Sequence, residues 1–181
     1  MSTNRLPARP IDVDAIPPTG HIVRIEAGPE EKAAIAKSYG LVAVNAFVAD
    51  LEAQREANRF VAVEGRIRAE IVQECVVSLK PVPQSIDETF VARFAPADDR
   101  KPTREPKPGA EVHVDPNDDS PDILSDRMLD LGAVALEHFA LAIEPYPRAP
   151  GAELPAGADG IGEADRESPF AVLAKIVRND N

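Results

Sequence analysis

Residues 60–79, FVAVEGRIRAEIVQECVVSL, alternate with the period of a β-strand. The odd positions Val61, Val63, Gly65, Ile67, Ala69, Ile71, Gln73, Cys75, Val77 and Leu79 are nearly all apolar or small. The even positions Glu64, Arg66, Arg68 and Glu70 are charged. A period of two turns one set of side chains to a core and the other to water. The run is long for one flat strand, so Gly65 is expected to mark a bulge or bend, and Gln73-Glu74 a second bulge or a break. From Val72 onward both parities are apolar, which predicts burial on both faces. The other elements are expected to pack around this ladder.

Upstream, residues 1–10 read as a loose leader, with order expected only from about Ile11 to Ile16. His21–Ala27 alternates as a first strand. Gly28-Pro29 then opens a helix, because proline suits the first helical position and Glu30 and Glu31 favour its positive end. That helix turns Ala33, Ala36 and Tyr39 to one side, with Ile35 nearby, and Gly40 stops it. Leu41–Leu51 reads as a strand with apolar residues on both parities; helix is the competing reading near Ala46–Ala57.

Downstream, Pro81 and Pro83 are expected to end the central strand, and Ile86–Phe94 to return antiparallel to it. Residues 96–122 are rich in proline and charge and predict a mobile acidic loop with one short strand at Glu111–Val114. Asp130 suits the N-cap of a helix over Leu131–Ile143, whose stripe runs through Leu131, Val134, Ala135, His138, Leu141 and Ala142. Tyr146–Pro150 reads as extended: a rigid arm for a partner groove, or a stiff exit from the helix. Residues 151–167 read as linker, and Ser168-Pro169 caps a last helix with Phe170, Leu173, Ala174 and Val177 on its docking face.

The pattern predicts an α+β fold: a twisted antiparallel sheet of about four to six strands with two or three packed helices, one domain over residues 11–178. Twenty basic residues against 31 acidic ones leave a net charge of −11. That argues against a broad phosphate-binding surface and suits a basic protein partner. The single cysteine excludes an intramolecular disulfide and a cysteine-based zinc site. No apolar run is long enough to span a membrane, and the first residues lack the apolar core of a secretory signal, so the cytoplasm is the expected location.

Few residues suggest chemistry. Cys75 falls on the core parity and reads as a buried structural thiol, since reactive thiolates need electropositive, partly exposed sites. His138 lies on an apolar helix stripe and reads as a packed or hydrogen-bonded histidine. His21 and His113 have no recognisable acid or nucleophile beside them. Asp115, Asn117, Asp119 and Asp126 approach a calcium loop, but Ser120 stands where the loop needs glycine, Pro121 follows it, and no helix enters. Gly157, Gly160 and Gly162 follow no strand, which disfavours a dinucleotide fingerprint. Arg66 and Arg68 project from the wet face; with Arg24 and Arg93 on neighbouring strands they would form a basic stripe for RNA phosphate, or merely a solvated face.

Several stretches in order resemble the YceD family, the large ribosomal RNA subunit accumulation proteins, and its alphaproteobacterial branch in particular. They are Val63, Gly65, Ala69 and Cys75 continuing to Val82; Ile86-Asp87-Glu88 with Phe90 and Phe94; Asp130-Leu131-Gly132, Glu137, LAIEPYPR from Leu141 to Arg148 and Pro150-Gly151; and SPFAVLAKI from Ser168 to Ile176. Many members carry C-x-x-C at the central strand. Here Ser78 takes the second place, so paired-thiolate chemistry is not carried over. The resemblance implies a role in large-subunit ribosomal RNA accumulation or processing, no established catalytic residue, and an association with a small basic ribosomal protein of the large subunit.

The expectation is therefore a non-enzymatic ribosome-biogenesis factor without cofactor or metal, which binds a basic ribosomal protein and neither membrane nor DNA. The alternatives are direct binding of pre-ribosomal RNA through the arginine stripe, an RNA-processing enzyme, and a structural oligomer. Arg66, Arg68, Glu137, Tyr146 and Arg148 are the expected partner contacts, with Glu137 also able to meet Tyr146 or Arg148. Gly65, Cys75, Phe90 and Phe170 are expected to serve the structure.

Overall fold

The computed structural model of the 181-residue chain describes residues 6–56, 59–96, 121–124 and 126–153. The expected strand at Glu111–Val114, the near-calcium loop from Asp115 to Asp119, His113, most of the linker with its glycines, and the C-terminal helix with Phe170 lie outside those residues.

The ladder predicted from alternation is present. β1 spans Pro10–Asp12, β2 His21–Glu26, β3 Ala43–Arg55, β4 Val61–Glu74, β5 Pro81–Pro96, β6 Asp122–Leu124 and β7 Met128–Asp130; α1 spans Pro29–Tyr39 and α2 Leu131–Ala142. The main sheet has the order β2-β3-β4-β5-β6, and β1 pairs with β7 in a small second sheet. Pairing is antiparallel except between β5 and β6, which run parallel over Phe94–Pro96. The sheet is thus mixed at one edge, where a wholly antiparallel one was expected, and with the two α-helices it makes an α+β fold.

One face of the sheet carries the core. Val61, Val63, Ile67, Ala69 and Ile71 of β4 are buried with Phe47, Ala49, Leu51 and Ala53 of β3, Ile35 of α1 and Phe139 of α2. Phe139 meets Tyr39 and Phe47 edge-on, at centroid distances of 5.5 and 5.3 Å. Such pairs are worth about 0.5–1.5 kcal/mol beyond the area they bury. The Tyr39 hydroxyl also donates to the Leu136 carbonyl at 3.1 Å, which ties α1 to α2.

The bulge sits elsewhere than expected. Pairing between β3 and β4 is continuous through Gly65 and shifts between Val44 and Ala46. The extra residue, Asn45, lets Val44 and Phe47 face the same core despite their opposite parity. This resolves the two-sided apolar pattern of Leu41–Leu51. Gly65 serves a different need: a Cβ there would lie 2.4 Å from Phe90 Cζ and 2.7 Å from Leu51 Cδ2.

The second half of the long run is not strand buried on both faces. β4 ends at Glu74, and the chain reverses through a turn in which Val76 and Leu79 are exposed and Leu79 has φ 59°. The reversal is closed by Cys75 N donating to Lys80 O at 2.8 Å. β5 then begins at Pro81 itself, so both prolines expected to end the central strand lie inside the next one. Pro81 and Pro83 are tolerated because β5 pairs there with β4 alone, so one edge needs no N–H donors.

α1 has the predicted bounds, with Glu31 Oε2 accepting from Gly28 N at 2.9 Å and Gly40 in the left-handed region at φ 65°. It buries Ala34 and Ile35 and leaves Ala33 exposed, a face rotated from the one expected. Asp130 caps α2 as predicted, accepting from Gly132 N at 2.9 Å and Ala133 N at 3.3 Å. The same carboxylate accepts from Arg9 N at 2.7 Å, and Leu131 N donates to Arg9 O. Residues 6–10 of the expected leader are therefore seated against the start of α2, with Pro7 fully buried.

Candidate functional site

The sheet face opposite the core is open to solvent, and there the register decides what the arginines do. Arg66 forks onto Asp87, Nε to Oδ1 at 2.7 Å and Nη2 to Oδ2 at 2.6 Å. Arg68 Nη2 reaches Asp50 Oδ2 at 2.5 Å, and Arg24 Nη1 reaches Asp50 Oδ1 at 2.8 Å. Arg93 Nε stands 3.5 Å from Glu56 Oε1. The Arg66 hydrogen bond, foremost, holds the Asp87 carboxyl below its ordinary pKa and raises that of Arg66 in turn.

Arg24, Arg66 and Arg68 thus lie close together on adjacent strands, with Arg93 further along β5, and each of the four is paired with a carboxylate. By register the outward side chains of β2 to β5 include Glu26, Asp50, Glu52, Glu64, Glu70, Glu74 and Asp87 against Arg24, Arg66, Arg68 and Arg93. The face is acidic on balance, not a basic stripe. Glu52 and Glu64 stand directly opposite one another, a juxtaposition that costs stability, with exposed Ile22 and Val91 at the ends of the same row. The sequence held these carboxylates in view, but which arginine each would meet depends on strand register.

A second feature lies where β5 meets α2. Val91, Ala92, Arg93, Phe94, Asp122, Val134, Glu137 and His138 line a groove of about 480 Å³. His138 stacks flat on Phe90, with ring centroids 3.8 Å apart and planes 10° from parallel. His138 is thus packed against an aromatic ring, in keeping with its place on the apolar stripe. Glu137 is exposed on α2 and also lines a smaller groove of about 320 Å³ on the other side, beside Leu6 and Tyr39. Burial, and then the Glu137 charge, raises the pKa of the Tyr39 phenol. Among the described residues Glu137 is neither hydrogen-bonded nor ion-paired to Tyr146 or Arg148.

Those last two belong to a third feature. The segment after α2 is not a free extended arm. Pro147 is buried, its carbonyl accepts from Val76 N at 2.9 Å, and Ala149 N donates to Cys75 Sγ at 3.2 Å. Gln84 holds the exit of α2, donating to Ala142 O and accepting from Glu144 N, while Gln73 Nε2 donates to Glu144 O. Tyr146 and Arg148 remain exposed on this docked loop. The stiff-exit reading fits. The two glutamines that hold the loop have no sequence signature, because their partners are backbone groups about sixty and seventy residues away.

Cys75 is fully enclosed at the centre of that turn. Its sulfur accepts from Ala149 N and from Ser78 N at 3.3 Å. These donors, Ala149 first, lower the thiol pKa from 9.0 to about 6, against the opposing effect of burial. The sulfur is the acceptor that joins the β4–β5 turn to the loop after α2. Among the described residues no group of three or more His, Cys, Asp or Glu could hold a metal ion. No helix among them is long and apolar enough to cross a membrane.

Comparison with known protein families gives a match. The YceD family, described as "Large ribosomal RNA subunit accumulation protein YceD", matches residues 63–177, which is more than half of the chain. No curated protein and no solved structure matches. The matched span starts in β4, includes the Phe90–His138 stack, the groove and the Cys75 turn, and runs on past α2. By that match the chain belongs to the YceD family.

Proposed function

We propose that this chain is a non-enzymatic ribosome-assembly factor of the cytoplasm, in the alphaproteobacterial branch of the family. It supports accumulation and processing of large-subunit ribosomal RNA by binding a basic ribosomal protein. The family description names the process. The partner class is supported by one observation above the rest: Arg66 and Arg68 are engaged by Asp87 and Asp50 on a face where carboxylates outnumber arginines. A phosphate would have to displace the Asp87 fork to be bound by Arg66, and would meet the remaining carboxylates. With a net charge of −11 the long-range field attracts a cationic partner and repels RNA.

The direct RNA-binding reading is the alternative, resting on the clustering of Arg24, Arg66 and Arg68 over adjacent strands. Recovery of the tagged chain from lysate at low and moderate salt, with protein and RNA analysed in one eluate, separates the two. The expected result is a basic large-subunit protein retained after nuclease treatment. Precursor ribosomal RNA retained without that protein, and lost on replacing Arg66 and Arg68, would overturn it.

A further inference from the structure

We propose that the groove between β5 and α2 is a docking site for a cationic segment of a protein partner that carries an aliphatic anchor between lysines or arginines. The inference rests on the basic-partner reading and assigns it a place. Phe94 and Val134 are buried along the floor of the groove, with Ala92 half-buried beside them. About 480 Å³ is room for a side-chain anchor and its neighbours.

The charge around the floor is one-sided. Asp122 and Glu137 are exposed on the groove, and neither has a cationic partner among the described residues. Arg93, the one cation in the lining, is turned to Glu56. Two unpaired carboxylates beside an apolar floor complement a basic, anchored segment and would reject an acidic one. The wall is rigid, because His138 is held flat against Phe90. The open sheet face offers carboxylates without such a hollow. The groove is therefore where binding energy and charge selection coincide.

The test uses the purified full chain and three synthetic peptides: lysines interspersed with leucines, lysines with serines, and glutamates with leucines. Fluorescence anisotropy at moderate salt is the readout. The lysine–leucine peptide is expected to bind most tightly. Glu137→Lys and Asp122→Lys should each weaken it by about tenfold, while Glu64→Lys, the same charge change on the open face, should weaken it less than about twofold. Circular dichroism checks that each variant is folded.

Equal losses for the groove and Glu64 variants would overturn the proposal in favour of diffuse attraction to an acidic surface. Equal binding of the lysine–serine peptide would overturn the anchor. Tighter peptide binding on Leu173→Asp in the full chain would instead make this protein's own C-terminal segment the occupant. If a basic ribosomal protein binds and none of the groove variants weakens it, the docking site fails while the proposed function stands. If peptides bind in the groove but no ribosomal protein does, the function fails while the site stands.

Discussion

Gly65 in β4 lies directly opposite Phe90 in β5, and the missing side chain of the one is filled by the ring of the other. Phe90 in turn carries the His138 ring from α2. A glycine in the middle of a long strand, usually a weakness, here makes the seat through which the sheet holds the helix beside the groove.

Gly65→Ala is expected to destabilise the fold by about 1–3 kcal/mol, because the new methyl must push aside two packed side chains. The midpoint of urea unfolding measures this. Pairing it with Phe90→Leu should recover part of the loss, and strict additivity of the two changes would refute the contact.

Gly132 offers a sharper test because the usual sign reverses. In a helix, alanine is normally favoured over glycine by about 1 kcal/mol. Here a Cβ would lie 2.0 Å from the Pro7 carbonyl oxygen, and backbone cannot swing away as a side chain can. Gly132→Ala should lower the melting temperature and release residues 6–10, seen as faster amide exchange at Arg9. A gain in stability would show that the N-terminal stretch is not seated there.

Replacing Arg66 and Arg68 together by alanine should leave the urea midpoint almost unmoved, since exposed ion pairs contribute little. Asp87 is then freed and Asp50 keeps only Arg24, so the face becomes more acidic. Affinity for a basic partner should therefore hold or rise slightly in a binding titration. A fall would show that the two arginines themselves contact the protein partner.

Cys75 links stability to pH. Its folded pKa of about 6 lies below the ordinary 9.0, so the stabilisation from its N–H donors is full above pH 9.0. It declines as pH falls toward about 6 and is absent below. The thiolate ultraviolet band should rise with a midpoint near pH 6 in the native protein, yet iodoacetamide should react only on unfolding, because the sulfur is enclosed. Cys75→Ser keeps an acceptor but should remove this pH slope. Rapid alkylation of the native protein would contradict the enclosure.

Much of the architecture was legible beforehand where one local rule governed. The α1 bounds follow from Pro29 and Gly40, the α2 cap from Asp130, and the core parity of β4 from alternation. Errors arose where two rules competed. Pro81 and Pro83 read as breakers but sit at the start of a strand, where its outer edge is unpaired. Gly65 read as a bulge but answers to Phe90, 25 positions later in sequence. The face of α1 was misjudged because alanines mark no strong stripe.

For the candidate site the division is sharper. The amino-acid sequence by itself determined the charge balance, the strand and helix periods and the ordered motifs of the family, since each is a property of near neighbours or of the whole composition. It placed Arg66 and Arg68 on the wet face and His138 on the apolar one. Only the tertiary structure decided that the arginines are occupied by Asp87 and Asp50, that His138 lies on Phe90, and that Asp122 and Glu137 share one hollow. Those pairings depend on strand register and helix docking, which a shift of one residue would rearrange entirely.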